Sequence, residues 1–159
     1  LFRSCVSACL LGERCKYNGG DNGIVGLAHL LLGHEVVTVC PEVLGGLPTP
    51  RSPAELRAGR VLNTAGEDVT APFDLGVRRA LERARTCDFA LLQPRSPSCG
   101  VNRIYDGTFS GTLILGSGLF ARALAREGIP AFDCDALTDA ERALACVLSS
   151  RTTGVEGDE

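Results

Sequence analysis

The stretch EVVTVCP, residues 35–41, shows most clearly how this chain folds. Its first five residues are almost all β-branched, which is typical of a strand, and the closing proline forbids further strand pairing. Two other short segments, 2–8 and 88–92, are also mostly small or apolar. A loop cysteine follows each of the three segments: Cys9, Cys40 and Cys99.

Segments with helical periodicity separate these predicted strands. They cover roughly 23–33, 70–86, 117–127 and 138–149, and a fourth strand is predicted at 129–132. In the last helix we expect Thr138 to be the N-cap and Glu141 its capping-box partner.

The alternation of strand and helix predicts an α/β protein. We expect a single three-layer domain with a mainly parallel, Rossmann-like sheet and helices on both faces. Right-handed crossovers bring the carboxyl ends of such strands to one edge, where ligands bind. The sequence therefore predicts that Cys9, Cys40 and Cys99 approach one another there.

Length and charge narrow the class of protein. With 159 residues the chain fits one catalytic domain, predicted at 1–149, followed by a flexible tail at 150–159. A net charge of −3 makes nucleic acid an improbable partner, and no apolar run is long enough to cross a bilayer. No signal segment is recognisable at the start of the sequence. We expect a cytoplasmic protein that acts on a small molecule.

The chain contains eight cysteines, which without a secretory signal favours metal or redox chemistry over disulfides. Cys5, Cys87 and Cys146 are predicted to be small core residues. Cys134 follows the fourth strand at the same edge as the three loop cysteines, so a role in the site is conceivable.

Two metal sites are compatible with these residues. Cys9, Cys15, Cys40 and Cys99 could form a closed, structural zinc site. Alternatively, three cysteines without Cys15 could hold three irons of a cubane cluster and leave the fourth open. The residues alone do not decide between these hypotheses.

The loops carry candidate catalytic groups. Glu42 lies two residues after Cys40 and suits general acid/base work in a partly desolvated cavity, although it could instead cap a helix or pair with Arg51 at the surface. Ser96 and Ser98, in the segment SPSCG around Cys99, carry two hydroxyls that could pass a proton or bind a substrate, or satisfy loop backbone groups. The glycine-rich segment 105–118 is expected to form a cavity wall.

Several ordered motifs resemble one family. They are SACLLG (7–12), CKYNG (15–19), CPE (40–42), GGLP (45–48), DVT (68–70), SPSCG (96–100) and IYDGTFSG (104–111). With them the chain resembles the thiouracil desulfidases, a bacterial family, from about Val6 to Phe132.

The resemblance implies a 4Fe-4S cluster held by Cys9, Cys40 and Cys99. The thiocarbonyl sulfur of a 2- or 4-thiouracil, or a related thioamide, would bind the open iron. Glu42 would activate water and Ser96 would hydrogen-bond or protonate the substrate, which releases uracil and sulfide without redox change. A non-enzymatic iron–sulfur redox or iron sensor and a desulfidase acting on thiouridine in tRNA remain alternatives.

Overall fold

A computed structural model describes residues 1–153. Within them the chain forms eight strands: β1 (Arg3–Ser7), β2 (Glu35–Val39), β3 (Ala54–Arg57), β4 (Arg60–Asn63), β5 (Phe89–Leu92), β6 (Arg103–Tyr105), β7 (Leu113–Leu115) and β8 (Ala131–Asp133). Its α-helices are α1 (Leu27–Leu30), α2 (Pro41–Leu44), α3 (Thr70–Ala84), α4 (Leu119–Arg126) and α5 (Leu137–Thr152). A short 3₁₀ helix, Ala8–Leu11, follows β1.

Four strands form one fully parallel sheet in the order β2-β1-β5-β8. Ser7 pairs with Val39, so the loops after β1 and β2 leave the sheet side by side. The chain moves outward from β1 on both sides, which makes the carboxyl ends of β1 and β5 the topological switch point.

Alternate residues of the strands pack against helices on opposite faces. Val6 and Leu91 belong to a buried cluster with residues of α1 and α5. Cys5 and Leu92 belong to a second cluster with residues of α3 and α4. The predicted three-layer α/β fold with a mainly parallel sheet is confirmed.

Several predicted details are wrong. The helix predicted at 23–33 is reduced to α1, because Gly26 before it and Gly33 after it adopt left-handed conformations. Helix α5 has Ala136, not Thr138, at its N-cap, and the Asp139 carboxylate accepts the backbone N–H groups of Asp135 and Ala136 at 2.9 and 3.0 Å.

Two predictions for the cysteines and the tail also change. Cys5 and Cys87 are buried as predicted, whereas Cys146 is exposed because it faces outward from α5. Helix α5 continues to Thr152, and residues 154–159 of the predicted tail lie outside the described residues. The tail therefore stays a prediction.

Two antiparallel hairpins were not predicted. They are β3–β4 and β6–β7, and both lie outside the parallel sheet. Their strands of three or four residues are too short to show a clear alternation, and all of β7 is exposed.

A close backbone contact fixes α2, the helix that follows Cys40. A Cβ atom on Gly76 of α3 would overlap the Pro41 carbonyl oxygen and lie 2.9 Å from the Gly45 nitrogen. Only a glycine at this position allows the two helices to pack so tightly. The position of α2 therefore depends on Gly76.

Gly76→Ala tests this contact. Helix propensity alone would make the variant more stable by about 1 kcal/mol, but the added methyl group must push α2 away, so we expect a lower free energy of unfolding in urea. Arg78→Ala, at an exposed position of the same helix, should change it by less than about 0.5 kcal/mol. A stabilised Gly76→Ala variant would contradict the proposed packing.

Candidate functional site

The three loop cysteines lie at the carboxyl edge of the sheet, on neighbouring strands. Cys9 is in the 3₁₀ helix after β1, Cys40 directly precedes α2 after β2, and Cys99 lies in the loop after β5. Cys9 and Cys99 are buried, and Cys40 is half-buried. The order of the strands thus brings together residues that are up to 90 positions apart in sequence.

One cavity of about 1050 Å³ collects these side chains. Cys9, Cys40 and Cys99 line it, as do Cys15 and the fully buried Cys134. Thiol groups are soft donors that favour zinc and iron–sulfur clusters. The cavity is as large as the upper end of typical small-molecule sites, about 1,000 Å³, and so has room for both a metal group and a small substrate.

The cavity environment raises the pKa of two of these thiols. Burial raises the pKa of Cys99 to about 12. The Cys15 thiol and burial raise the pKa of Cys40 as well. Because a thiol must lose its proton to bind a metal, cluster binding at these residues would release protons.

Cys15 lies beside two of these cysteines. Its backbone carbonyl accepts hydrogen bonds from Cys40 Sγ at 3.9 Å and from Arg51 Nη2 at 2.9 Å, and the neighbouring Cys9 thiol helps to raise the pKa of Cys15. Yet within residues 1–153 no three cysteine, histidine or acidic side chains are grouped closely enough to hold a single metal ion. The arrangement is more open than the closed tetrahedral zinc site that the sequence allowed.

Glu42 is held by partners on both of its oxygens. Arg51 Nε donates to Oε1 at 3.1 Å, and Ser98 Oγ donates to Oε2 at 3.0 Å. The side chains of Arg51 and Glu42 are only 7% and 16% exposed. The pairing with Arg51 that the sequence allowed does form, but in the cavity wall and not at the surface.

Arg51 also connects Glu42 to two loops. Its Nη2 group binds the Cys15 carbonyl, its Nη1 group binds the Pro48 carbonyl at 3.3 Å, and its backbone N–H donates to the Tyr17 carbonyl at 2.7 Å. One buried guanidinium therefore joins the loop of Cys15 to the helix of Glu42.

Ser96 and Ser98 have different partners. Ser96 Oγ accepts the backbone N–H groups of Ser98 and Cys99 at 3.2 and 3.1 Å, so it shapes the loop. Ser98 Oγ lies 2.9 Å from Ser96 Oγ and reaches Glu42. The sequence did not reveal the hydrogen bond of Ser98 to Glu42 or the contacts of Arg51 in the cavity wall, because both join segments that are distant in sequence.

The far side of the Cys99 loop is anchored by strand β8. The Asp133 carboxylate accepts the backbone N–H groups of Val101 and Asn102 at 2.9 and 3.0 Å. Gln93 lies at the other end of the loop, where its Oε1 atom is 3.8 Å from Cys9 Sγ. The loop that carries Cys99 is thus fixed at both ends.

Comparison with known proteins now identifies the family. Residues 5–135 match the 2-thiouracil desulfurase family. The chain belongs to this family. It is 37% identical over 146 residues to the uncharacterized protein YbbK of Bacillus subtilis (strain 168), which covers 84% of this chain and 97% of YbbK.

A solved structure supports the same conclusion. The [4Fe-4S]-dependent thiouracil desulfidase TudS is 43% identical and superimposes with a TM-score of 0.83 over 92% of this chain and 99% of TudS. The family resemblance and the fold predicted from the sequence are therefore confirmed. The roles of individual residues of this 2-thiouracil desulfurase family member stay predictions.

Arg51→Met tests whether the buried ion pair stabilises the site. The variant leaves the Glu42 carboxylate without its cation, and we expect the free energy of unfolding of the metal-free protein to fall by about 3 kcal/mol. Arg60→Met is the matched control, because Arg60 pairs with Asp68 at an exposed position and should cost less than about 1 kcal/mol. An equal decrease in the free energy of unfolding for both variants, measured by urea titration, would show that the Arg51–Glu42 pair does not stabilise the site.

Proposed function

We propose that this protein is an iron–sulfur-dependent desulfidase that converts thiouracil and water to uracil and hydrogen sulfide. The observation that carries the proposal is the single cavity that Cys9, Cys40 and Cys99 line together with the half-buried Glu42. Membership of the 2-thiouracil desulfurase family and the likeness to TudS support it.

Cys9, Cys40 and Cys99 would hold the 4Fe-4S cluster. The three lie on loops that the parallel sheet brings to one edge, and cysteine thiolates are the usual ligands of iron–sulfur clusters. When bound, the cluster would supply one iron without a protein ligand, a Lewis acid for the thiocarbonyl sulfur of the substrate. Cys15, which is half-buried like Cys40, would stay outside this ligand set.

Glu42 would accept the proton of the attacking water. Arg51 Nε fixes the orientation of the carboxylate through Oε1. The other oxygen reaches the cavity through Ser98 Oγ, which in turn contacts Ser96 Oγ. Ser96 would hydrogen-bond the substrate or return a proton to it, since the hydroxyl is both a donor and an acceptor.

The substrate would be a free thiolated base or a related thioamide. The cavity has the size of a small-molecule site, and the net charge of −3 offers no general attraction for a tRNA backbone. Among the described residues, no helix is long and apolar enough to cross a membrane. The eight free cysteines suit the reducing cytoplasm, where we place the protein.

Iron and sulfide analysis of anaerobically purified protein tests the cluster. We expect about four iron and four sulfide per chain, and their loss in Cys9→Ala, Cys40→Ala or Cys99→Ala. Cys146→Ala is the control, because Cys146 is exposed and away from the cavity. Stoichiometric zinc without iron would overturn the assignment.

Cys15→Ala distinguishes the two ligand sets. Retention of iron and sulfide is expected if three cysteines hold the cluster. Loss of the cluster in this variant would mean that Cys15 is a ligand or that its loop is required for assembly.

Glu42→Gln tests the acid/base assignment. Glutamine preserves size and hydrogen bonding but cannot take the proton, so we expect the cluster to remain and turnover of thiouracil to fall roughly 10²- to 10⁴-fold. Turnover by Ser96→Ala should fall by a comparable or smaller factor. Turnover by Glu141→Gln, at an exposed position, should equal that of the parent protein. Turnover is followed by the loss of thiocarbonyl absorbance.

Two results would contradict this role for Glu42. If Glu42→Gln turns over thiouracil at the rate of the parent protein, Glu42 does not accept the proton. Failure of that variant to bind iron, while Glu141→Gln binds it normally, would make Glu42 structural. A protein that holds the cluster but leaves thiouracil unchanged would instead favour the sensor hypothesis.

A further inference from the structure

The loop between β6 and β7 forms one wall of the cavity and is tightly ordered by its own hydrogen bonds. The Asp106 carboxylate accepts from the backbone N–H and the hydroxyl of Thr108 at 2.9 and 2.6 Å. Hydroxyl contacts then continue from Thr108 to Ser110 and from Ser110 to Thr112 at 2.7 and 2.8 Å. The loop is therefore pre-organised.

Phe109 occupies an unfavourable position in this loop. Its φ of +56° lies in the left-handed region, which bulky side chains seldom adopt. Its side chain lines the cavity and is 40% exposed. It belongs to none of the core clusters formed by the described residues. Core packing therefore does not explain why a large apolar ring stands here.

Glu55 of β3 stabilises the backbone of this turn. Its Oε1 atom accepts the backbone N–H groups of Gly107 and Phe109 at 3.0 and 3.2 Å. Gly107 is itself required, because a Cβ atom there would overlap Arg57. A carboxylate from a separate hairpin thus holds the strained residue in place. Strain maintained in this way is typical of functional sites.

We propose that Phe109 is a substrate-binding residue whose ring stacks on the planar ring of the base, and that Glu55 is a positioning residue that holds it there. This inference rests on the proposed function, since it names the face that receives the substrate. Aromatic rings and nucleobases prefer offset stacking, which adds affinity without selecting a particular base. The cluster held by the thiols of the same cavity would bind the thiocarbonyl sulfur of the substrate, and Phe109 would contact the face of its ring.

Binding of uracil tests the stacking without requiring turnover. Uracil has the planar ring but no sulfur, and its affinity is measured calorimetrically with anaerobically purified protein. Phe109→Asn keeps a residue that tolerates a positive φ but removes the ring, and we expect about 10-fold weaker binding. Phe109→Tyr should bind like the parent protein. Leu115→Asn is the matched control, because Leu115 is an exposed apolar residue on β7 that does not line the cavity.

Glu55→Ala should weaken uracil binding in the same direction and raise KM for thiouracil more than it lowers kcat. If Glu55 acts through Phe109, adding Glu55→Ala to Phe109→Asn should cause no further loss, whereas additive losses would overturn the positioning role.

Other outcomes separate this inference from the proposed function. Parent-like affinity of Phe109→Asn, or weakening by Tyr17→Asn alone, would overturn the stacking wall, because Tyr17 is another exposed aromatic residue lining the cavity. A parent protein that binds neither uracil nor thiouracil overturns it too. A parent protein that binds these bases but releases no sulfide would count against the proposed reaction alone.

Discussion

Parallel pairing of β2, β1 and β5 is the constraint on which the site depends. Parallel strands must all end at one edge, and the register that pairs Ser7 with Val39 sets two cysteine loops next to each other. The third loop leaves β5 on the other side of β1. Any change in strand order would separate the thiols, so the chemistry of the cavity is a direct consequence of the sheet.

A few buried contacts fix the loops that connect the sheet to the cavity. Gly76 lets α2 lie against α3, and Arg51 ties Glu42 to the loop of Cys15. Asp133 anchors the loop of Cys99 from the opposite side. These contacts reduce the conformational freedom of segments that would otherwise be mobile, so the donor groups are held in place before any ligand arrives.

The sequence predicted what depends on local composition and failed where distant contacts decide. The strand at 35–39 was predictable from its β-branched residues and matches β2 at both ends. The hydrogen bond from Ser98 to Glu42 was not predictable, because the two residues are 56 positions apart in sequence. Likewise, the helical composition of residues 23–33 did not show that Gly26 would adopt a left-handed conformation, so that α1 begins only at Leu27.

The position of β2 in the sheet has a consequence for how the site fails. Within the described sheet β2 is an edge strand, paired only with β1, whereas β1 and β5 each have neighbours on both sides. Edge strands open by local fluctuations that cost less than global unfolding. Such an opening would withdraw Cys40 and Glu42 together, while the segments that carry Cys9 and Cys99 stay attached to the inner strands β1 and β5. The proposed ligand Cys40 and the proposed acid/base group Glu42 would therefore share one local stability, which would set how readily the site opens while the rest of the domain remains folded.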